Sequence, residues 1–94
     1  MKENTASEAW EIWLTRQAQK DFGRLAAAGL EGKARELLKV LKANPFQNPP
    51  PYEKLVGDLA GAYSRRLNVQ HRIVYAVGKE SKTVKIIRMW THYE

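Results

Sequence analysis

Between Ala9 and Leu14 the chain alternates with a period of two, Trp10, Ile12 and Leu14 falling on one side and Glu11 and Trp13 on the other, which predicts a first strand. After Thr15, a good N-cap residue, the period lengthens. Ala18, Phe22 and Leu25 recur at helical spacing, Arg16, Gln19, Lys20 and Arg24 occupy the opposite face, and Gly29 ends the helix. In the next segment Ala34, Leu37, Leu38 and Leu41 form an apolar stripe while Lys33, Arg35, Glu36 and Lys39 face water, until Asn44-Pro45 stops it. The two segments read as a helical hairpin.

Residues 46–52 contain Pro49-Pro50-Pro51, a donor-poor stiff connector that excludes helix and central strand. Gly57 and Gly61 bracket a turn-rich stretch after Glu53 and Leu55. Strand character then returns: residues 62–69 alternate, residues 72–77 are rich in β-branched and aromatic side chains, residues 78–81 make a tight turn, and residues 83–91 form the last strand. These three predict an antiparallel meander, with Val74, Val77, Val84 and Ile86 in the core and Trp10, Trp13 and Trp90 assigned there too. The fold class is α+β, two N-terminal helices packed on a small, mostly antiparallel sheet. Residues 1–8 are polar and unpatterned, a leader before a single domain spanning 9–94.

Composition narrows the picture. A chain of 94 residues supports one core, and 44% hydrophobic with 28% charged residues is globular rather than disordered. The absence of cysteine excludes disulfides and thiolate chemistry. The N-terminus lacks the pattern of a secretory signal, and no apolar run approaches the roughly twenty residues of a membrane span, so a cytoplasmic chain with no membrane partner is expected. A net charge of +6 gives a positive field suited to a polyanion, of which nucleic acid is the commonest in that compartment.

The cations cluster. Ser64-Arg65-Arg66, His71-Arg72, Arg88 and His92 fall on neighbouring strands, and like charges so placed point to an anionic ligand or to carboxylate partners from elsewhere, among which Glu53, Asp58, Glu80 and Glu94 are nearby. Of the adjacent pair Arg65 and Arg66 only one faces a groove, and either can be solvated or paired with Asp58. His71, beside a turn, fits a structural hydrogen-bonding role, whereas His92 next to Tyr93 is placed for titration near solvent. Two histidines without cysteine, His-Glu-x-x-His or an aspartate cluster give no metal-ligand set, and no glycine loop is present to cradle phosphate. Tyr63 and Tyr75 serve equally as packing residues or as platforms for bases.

Four stretches taken together, Tyr52-Glu53-Lys54-Leu55, Leu59 to Arg66 with its Ser-Arg-Arg, His71-Arg72-Ile73-Val74-Tyr75 and the terminal Trp90-Thr91-His92-Tyr93, resemble the YoeB/Txe toxins of bacterial toxin-antitoxin modules in order and spacing. The likeness runs from about Trp10 to the end. It implies a RelE-like fold and ribosome-dependent cleavage of messenger RNA in the A site, without cofactor or metal, by attack of the ribose 2′-hydroxyl on the adjacent phosphorus. By position it implies Glu53, Arg72, His92 and Tyr93 as catalytic residues: Glu53 as base, Arg72 on the charge of the transition state, His92 as acid and Tyr93 in support, with base and acid open to exchange. Ser64, Arg65 and Arg66 are then the substrate-binding residues. A YefM/Axe-type antitoxin is the implied inhibitor, the ribosome and message the implied partners, and a homodimer fits the family. Val56 stands where some relatives carry lysine, and Glu94 extends the chain beyond the tyrosine. Against this stand a basic module that binds RNA or protein without cutting, which has no need of Glu53 or His92, and a nuclease acting on free RNA.

Overall fold

The computed structural model describes residues 9–90. In chain order it contains strand β1 (Glu11–Leu14), helices α1 (Arg16–Ala27) and α2 (Glu31–Ala43), strand β2 (Glu53–Lys54), a 3-10 turn (Gly57–Leu59), and strands β3 (Tyr63–Arg66), β4 (Arg72–Gly78) and β5 (Thr83–Arg88). The five strands form one sheet in the order β1-β5-β4-β3-β2. Neighbours pair antiparallel except β1, which lies parallel to β5 with Ile12 opposite Val84 and Leu14 opposite Ile86. The expected pair of helices on a mostly antiparallel sheet is what forms.

Local chemistry explains where elements begin and end. The Thr15 hydroxyl accepts from the Ala18 N–H at 3.0 Å and donates to the Ile87 carbonyl at 2.9 Å, so one side chain caps α1 and ties it to the region of β5. At the far end Gly29 has φ +80, and the N–H groups of Leu30 and Gly29 bond the carbonyls of Leu25 and Ala26, a Schellman closure that turns the chain into α2. Strand β3 stops at Arg66, short of the expected residue 69. The Asn68 carboxamide oxygen accepts from the N–H groups of Gln70 and His71, and both Leu67 and Asn68 donate to the His71 carbonyl, which makes a tight reversal instead of more strand. Strand β5 ends at Arg88 rather than residue 91, for a reason given with Asp21 below.

One sheet face is covered by the helices. Ala18, Leu25, Ala34, Leu37 and Leu41 from the hairpin meet Ile73, Tyr75, Val84 and Ile86 from the sheet, all buried. Val74 is also buried, but on the other face by strand alternation, and Val77 only partly. Trp10 and Trp90 pack partly against the core as expected, whereas Trp13 is 56% exposed, because β1 turns its odd positions away from the helices. No helix among the described residues is long and apolar enough to cross a membrane.

Candidate active site

The open face of the sheet carries the residues of interest, and strand register dictates which. Even-numbered positions of β3 and β4 point away from the helices, so Ser64 lies beside Val74 and Arg66 beside Arg72, while Glu53 in β2 lies beside Ser64. Arg72 Nη1 donates to the Ser64 hydroxyl at 3.0 Å and reaches the Glu53 carboxylate at 3.4 Å. Glu53 comes from an exposed two-residue edge strand, with its side chain 68% accessible against 29% for Arg72. An exposed pair at this separation contributes little to stability. Arg66 and Arg72 sit directly opposite each other, a like-charge cross-strand pair that costs stability and is relieved by an anion. The arrangement therefore offers a solvent-accessible carboxylate, a guanidinium held on a hydroxyl and a second exposed arginine. That set suits a phosphodiester flanked by a proton acceptor.

Not every residue expected at substrate lies in reach of it. Ser64 is 1% exposed, and its oxygen serves Arg72. Arg65 is 1% exposed on the helix-side face, so it does not meet the expectation of binding substrate; strand alternation turns it inward when Ser64 and Arg66 turn outward. Its Nε donates to the Tyr75 hydroxyl at 3.1 Å, and its terminal nitrogens donate to the carbonyls of Pro45 at 2.9 Å, Gln47 at 2.7 Å and Pro50. Neither arginine pairs with Asp58. Tyr63 and Tyr75 are packing residues, stacked on each other at 5.7 Å, with Phe46 and Tyr52 completing an aromatic cluster around the proline loop. Burial pushes the Tyr75 phenol above its ordinary range, with the Arg65 charge pulling the other way, so it remains a neutral donor to Pro45 O at 3.0 Å.

His71 was expected to serve as a structural hydrogen-bonding group, but its ring packs rather than bonds. It is buried, its ring lies 4.1 Å from the Trp90 ring in a stacked arrangement, and its backbone N–H closes the Asn68 turn, while its Nδ1 has no hydrogen-bond partner among the described residues. The guanidinium of Arg24 lies 5.2 Å from the centre of the Trp90 ring. His92 and Tyr93 lie outside the described residues.

One group escaped the sequence reading. Asp21, fully buried in α1, accepts from Arg88 Nε at 2.8 Å, Met89 N–H at 3.0 Å, Gln17 Nε2 at 3.0 Å and the Trp90 N–H. Capture of the Met89 and Trp90 amides by this carboxylate takes the chain out of the β4–β5 ladder and ends β5. Burial alone would raise the Asp21 pKa, but the bonds from Arg88, Met89, Gln17 and Trp90 together outweigh it and hold the carboxyl below its ordinary value. The signal was its place on the buried stripe, three residues after Ala18 and four before Leu25, where an acid requires a partner.

A depressed carboxyl gives stability that is present above the unfolded value, about pH 4, and is lost as pH falls through the lower folded value. Asp21→Ala is expected to cost about 2–4 kcal/mol, since it strands the buried Met89 N–H, the Trp90 N–H and a half-exposed guanidinium. In thermal melts at neutral pH that is a fall of more than about 8 °C. Unchanged melting, or an acid limb as steep in Asp21→Asn as in the parent, contradicts this.

A groove of 640 Å³ bounded by Leu37, Val40, Pro50 and Leu67 runs along α2, but apart from Arg66 at its border it shares nothing with the Glu53–Arg72 pair. That pair lies on the open sheet face, accessible to a polymer.

A sequence profile of the YoeB-like toxins of bacterial type II toxin-antitoxin systems matches residues 7–93. Among curated proteins, toxin YoeB of Escherichia coli strain K12 is 38% identical over 61 residues, 65% of this chain and 70% of that protein. Toxin YoeB of Mycobacterium bovis is 30% identical over 81 residues, 86% of this chain and 87% of that protein. Among solved structures, a YoeB/ParE toxin from Agrobacterium tumefaciens superposes with TM-score 0.79 at 29% identity, covering 88% of this chain and 99% of its own. A YoeB-YefM complex from Staphylococcus aureus gives 0.75 at 33%, covering 89% and 98%. With nearly the whole chain matched in sequence and superposed in fold, this chain belongs to the YoeB-like toxins of bacterial type II toxin-antitoxin systems.

Proposed function

We propose that this chain is a ribosome-dependent endoribonuclease that cuts messenger RNA in the A site. Family membership supports a toxin, and the observation that carries the chemistry is the convergence of Glu53, Arg72 and Arg66 on one open sheet face, with the Glu53 carboxylate 3.4 Å from Arg72. In the reaction Glu53 removes the proton of the ribose 2′-hydroxyl, the oxygen attacks the adjacent phosphorus, and the 5′-oxygen leaves with a proton from His92. Arg72 neutralises the charge that grows on the non-bridging oxygens, Arg66 holds the backbone phosphate, and Tyr93 positions the group in flight. The assignments of His92 and Tyr93 rest on the family resemblance of the terminal Trp-Thr-His-Tyr.

The partner in this reading is a YefM-type antitoxin, the Staphylococcus aureus structure being a YoeB-YefM complex, and the net charge of +6 suits an inhibitor that brings acidic residues to the toxin. End-group analysis of the cut message tests the reaction. A 5′-hydroxyl on the downstream fragment and a 2′,3′-cyclic phosphate on the upstream one are expected, at a rate that collapses when ribosomes are omitted. Equal cutting of free RNA identifies a ribosome-independent nuclease, and salt-sensitive binding without cutting identifies a binding module.

A further inference from the structure

We infer that Arg65 is a positioning residue of this site: its buried guanidinium folds the loop of residues 45–50 and thereby fixes where Glu53 stands opposite Arg72. The inference rests on the cleavage reading for its kinetic consequence and on the bonds of Arg65 for its structural one.

Glu53 is poorly held by its own strand. Strand β2 has two exposed residues at the edge of the sheet, and pairing of that length is marginal without other support. What precedes it is a nine-residue run, 44–52, holding all four prolines of the chain. Prolines have no N–H, so the run is rich in acceptors and poor in donors and pairs with itself only sparingly, through the N–H groups of Phe46 and Gln47 on Asn44 and the Gln47 carboxamide on Pro49 O. Arg65 supplies the missing donors. Three loop carbonyls, those of Pro45, Gln47 and Pro50, converge on its terminal nitrogens, and Tyr75 bridges its Nε to Pro45. No carboxylate among the described residues pairs with it. Among the described residues its polar and ring partners are loop carbonyls, a phenol and the Tyr52 ring at 5.0 Å, so the buried guanidinium is tolerated where the loop closes around it.

The clamp reaches Glu53 from both directions. Tyr52, its neighbour on the N-terminal side, lies under Arg65 and against Phe46 and Tyr63. On the sheet side Glu53 is registered against Ser64, the residue before Arg65. Ser64 and Arg65 thus point to opposite faces of one strand, the first holding Arg72 through its hydroxyl and the second holding the loop that delivers Glu53. A shift of the loop therefore moves the carboxylate relative to the guanidinium without moving Arg72.

The test is a kinetic cycle in the full chain on ribosome-bound message, with Arg65→Lys, Glu53→Gln and the double substitution, and Tyr75→Phe as a milder disturbance of the same cluster. Lysine keeps the charge but cannot span four acceptors. Arg65→Lys is expected to lower kcat by about 10–100-fold with KM changed less than about twofold. In the Glu53→Gln background the same substitution should lower kcat by less than about threefold, because the group it positions is already gone. Tyr75→Phe should shift kcat in the same direction by less. Effects of Arg65→Lys and Glu53→Gln that multiply, or an unchanged kcat in folded Arg65→Lys and Tyr75→Phe, overturn the inference.

Amide hydrogen exchange supplies a readout independent of cleavage. Phe46, Gln47 and the Leu55 N–H, bonded to Ala62 O at 2.9 Å, should exchange at least about tenfold faster in Arg65→Lys while the amides of α1 and β4 keep their protection. Uniform loss across the chain, or no change in the loop, also overturns it. A parent protein that cuts nothing defeats the cleavage reading instead, and the exchange pattern still decides the clamp.

Discussion

A message carrying 2′-deoxyribose at the scissile nucleotide is expected to remain uncut on ribosomes that expose it to this toxin. The nucleophile of the proposed reaction belongs to the substrate, and deleting one oxygen removes it outright, so the loss spans the whole acceleration, at least about a millionfold for a typical enzyme. Around the Glu53–Arg72 pair the described groups are a carboxylate, the guanidiniums of Arg72 and Arg66 and a Ser64 hydroxyl occupied by Arg72, and none of them is the attacking oxygen of the proposed reaction. The substitution leaves every phosphate contact in place, so binding should change little while product vanishes. Fragments from the deoxy message at the normal rate mean that the attacking oxygen comes from water, and the role given to Glu53 then falls with it.

Arg72→Ala should have the next largest effect, lowering cleavage by about 10²–10³-fold, the usual cost of removing a donor aimed at developing charge. Arg72→Lys should recover only a small part: Nη1 alone serves Ser64 and Glu53, and an ammonium is a point charge that lacks the planar pair of donors a guanidinium can turn to two phosphate oxygens at once. The variant should still fold, at a cost of about 1–2 kcal/mol, since the bond to Glu53 is long and exposed and only that to Ser64 is part-buried. A full rate in a folded Arg72→Ala protein removes the electrostatic role assigned here.

Much of the fold could be read from the chain because its signals are local. The change from a two-residue to a helical period at Thr15, the Gly29 stop and the Asn44-Pro45 break each reflect backbone chemistry confined to a few residues. What escaped depends on long-range pairing. The parallel match of β1 to β5 joins segments some seventy residues apart, and the two-residue β2 has no periodicity to detect. Trp13 is a core residue by type alone, but its phase, opposite Ile12 and Leu14, turns it outward.

In the site, alternation showed that only one of Arg65 and Arg66 could face a groove, whereas the register that sets Arg66 opposite Arg72 and Ser64 opposite Glu53 is long-range and was not legible, and the grouping of Arg72 with Glu53 was implied by the resemblance alone. The fate of Arg65 did not. Alternation alone allowed either arginine to face inward, and only the carbonyls gathered by the proline loop decide that a buried guanidinium is stable there. Asp21 was likewise silent, since its partners Met89 and Trp90 contribute backbone amides, which carry no side-chain signature.

The central claim is that Glu53, Arg72 and His92 act together on one ribonucleotide linkage of a ribosome-bound message. Primer extension on a defined message in a purified translation system, with the parent protein beside Glu53→Gln, Arg72→Ala and His92→Gln, tests it most directly. The account predicts new stops inside the A-site codon for the parent and their near disappearance in each variant. Stops of equal strength in all four reactions, or none with the folded parent, contradict it.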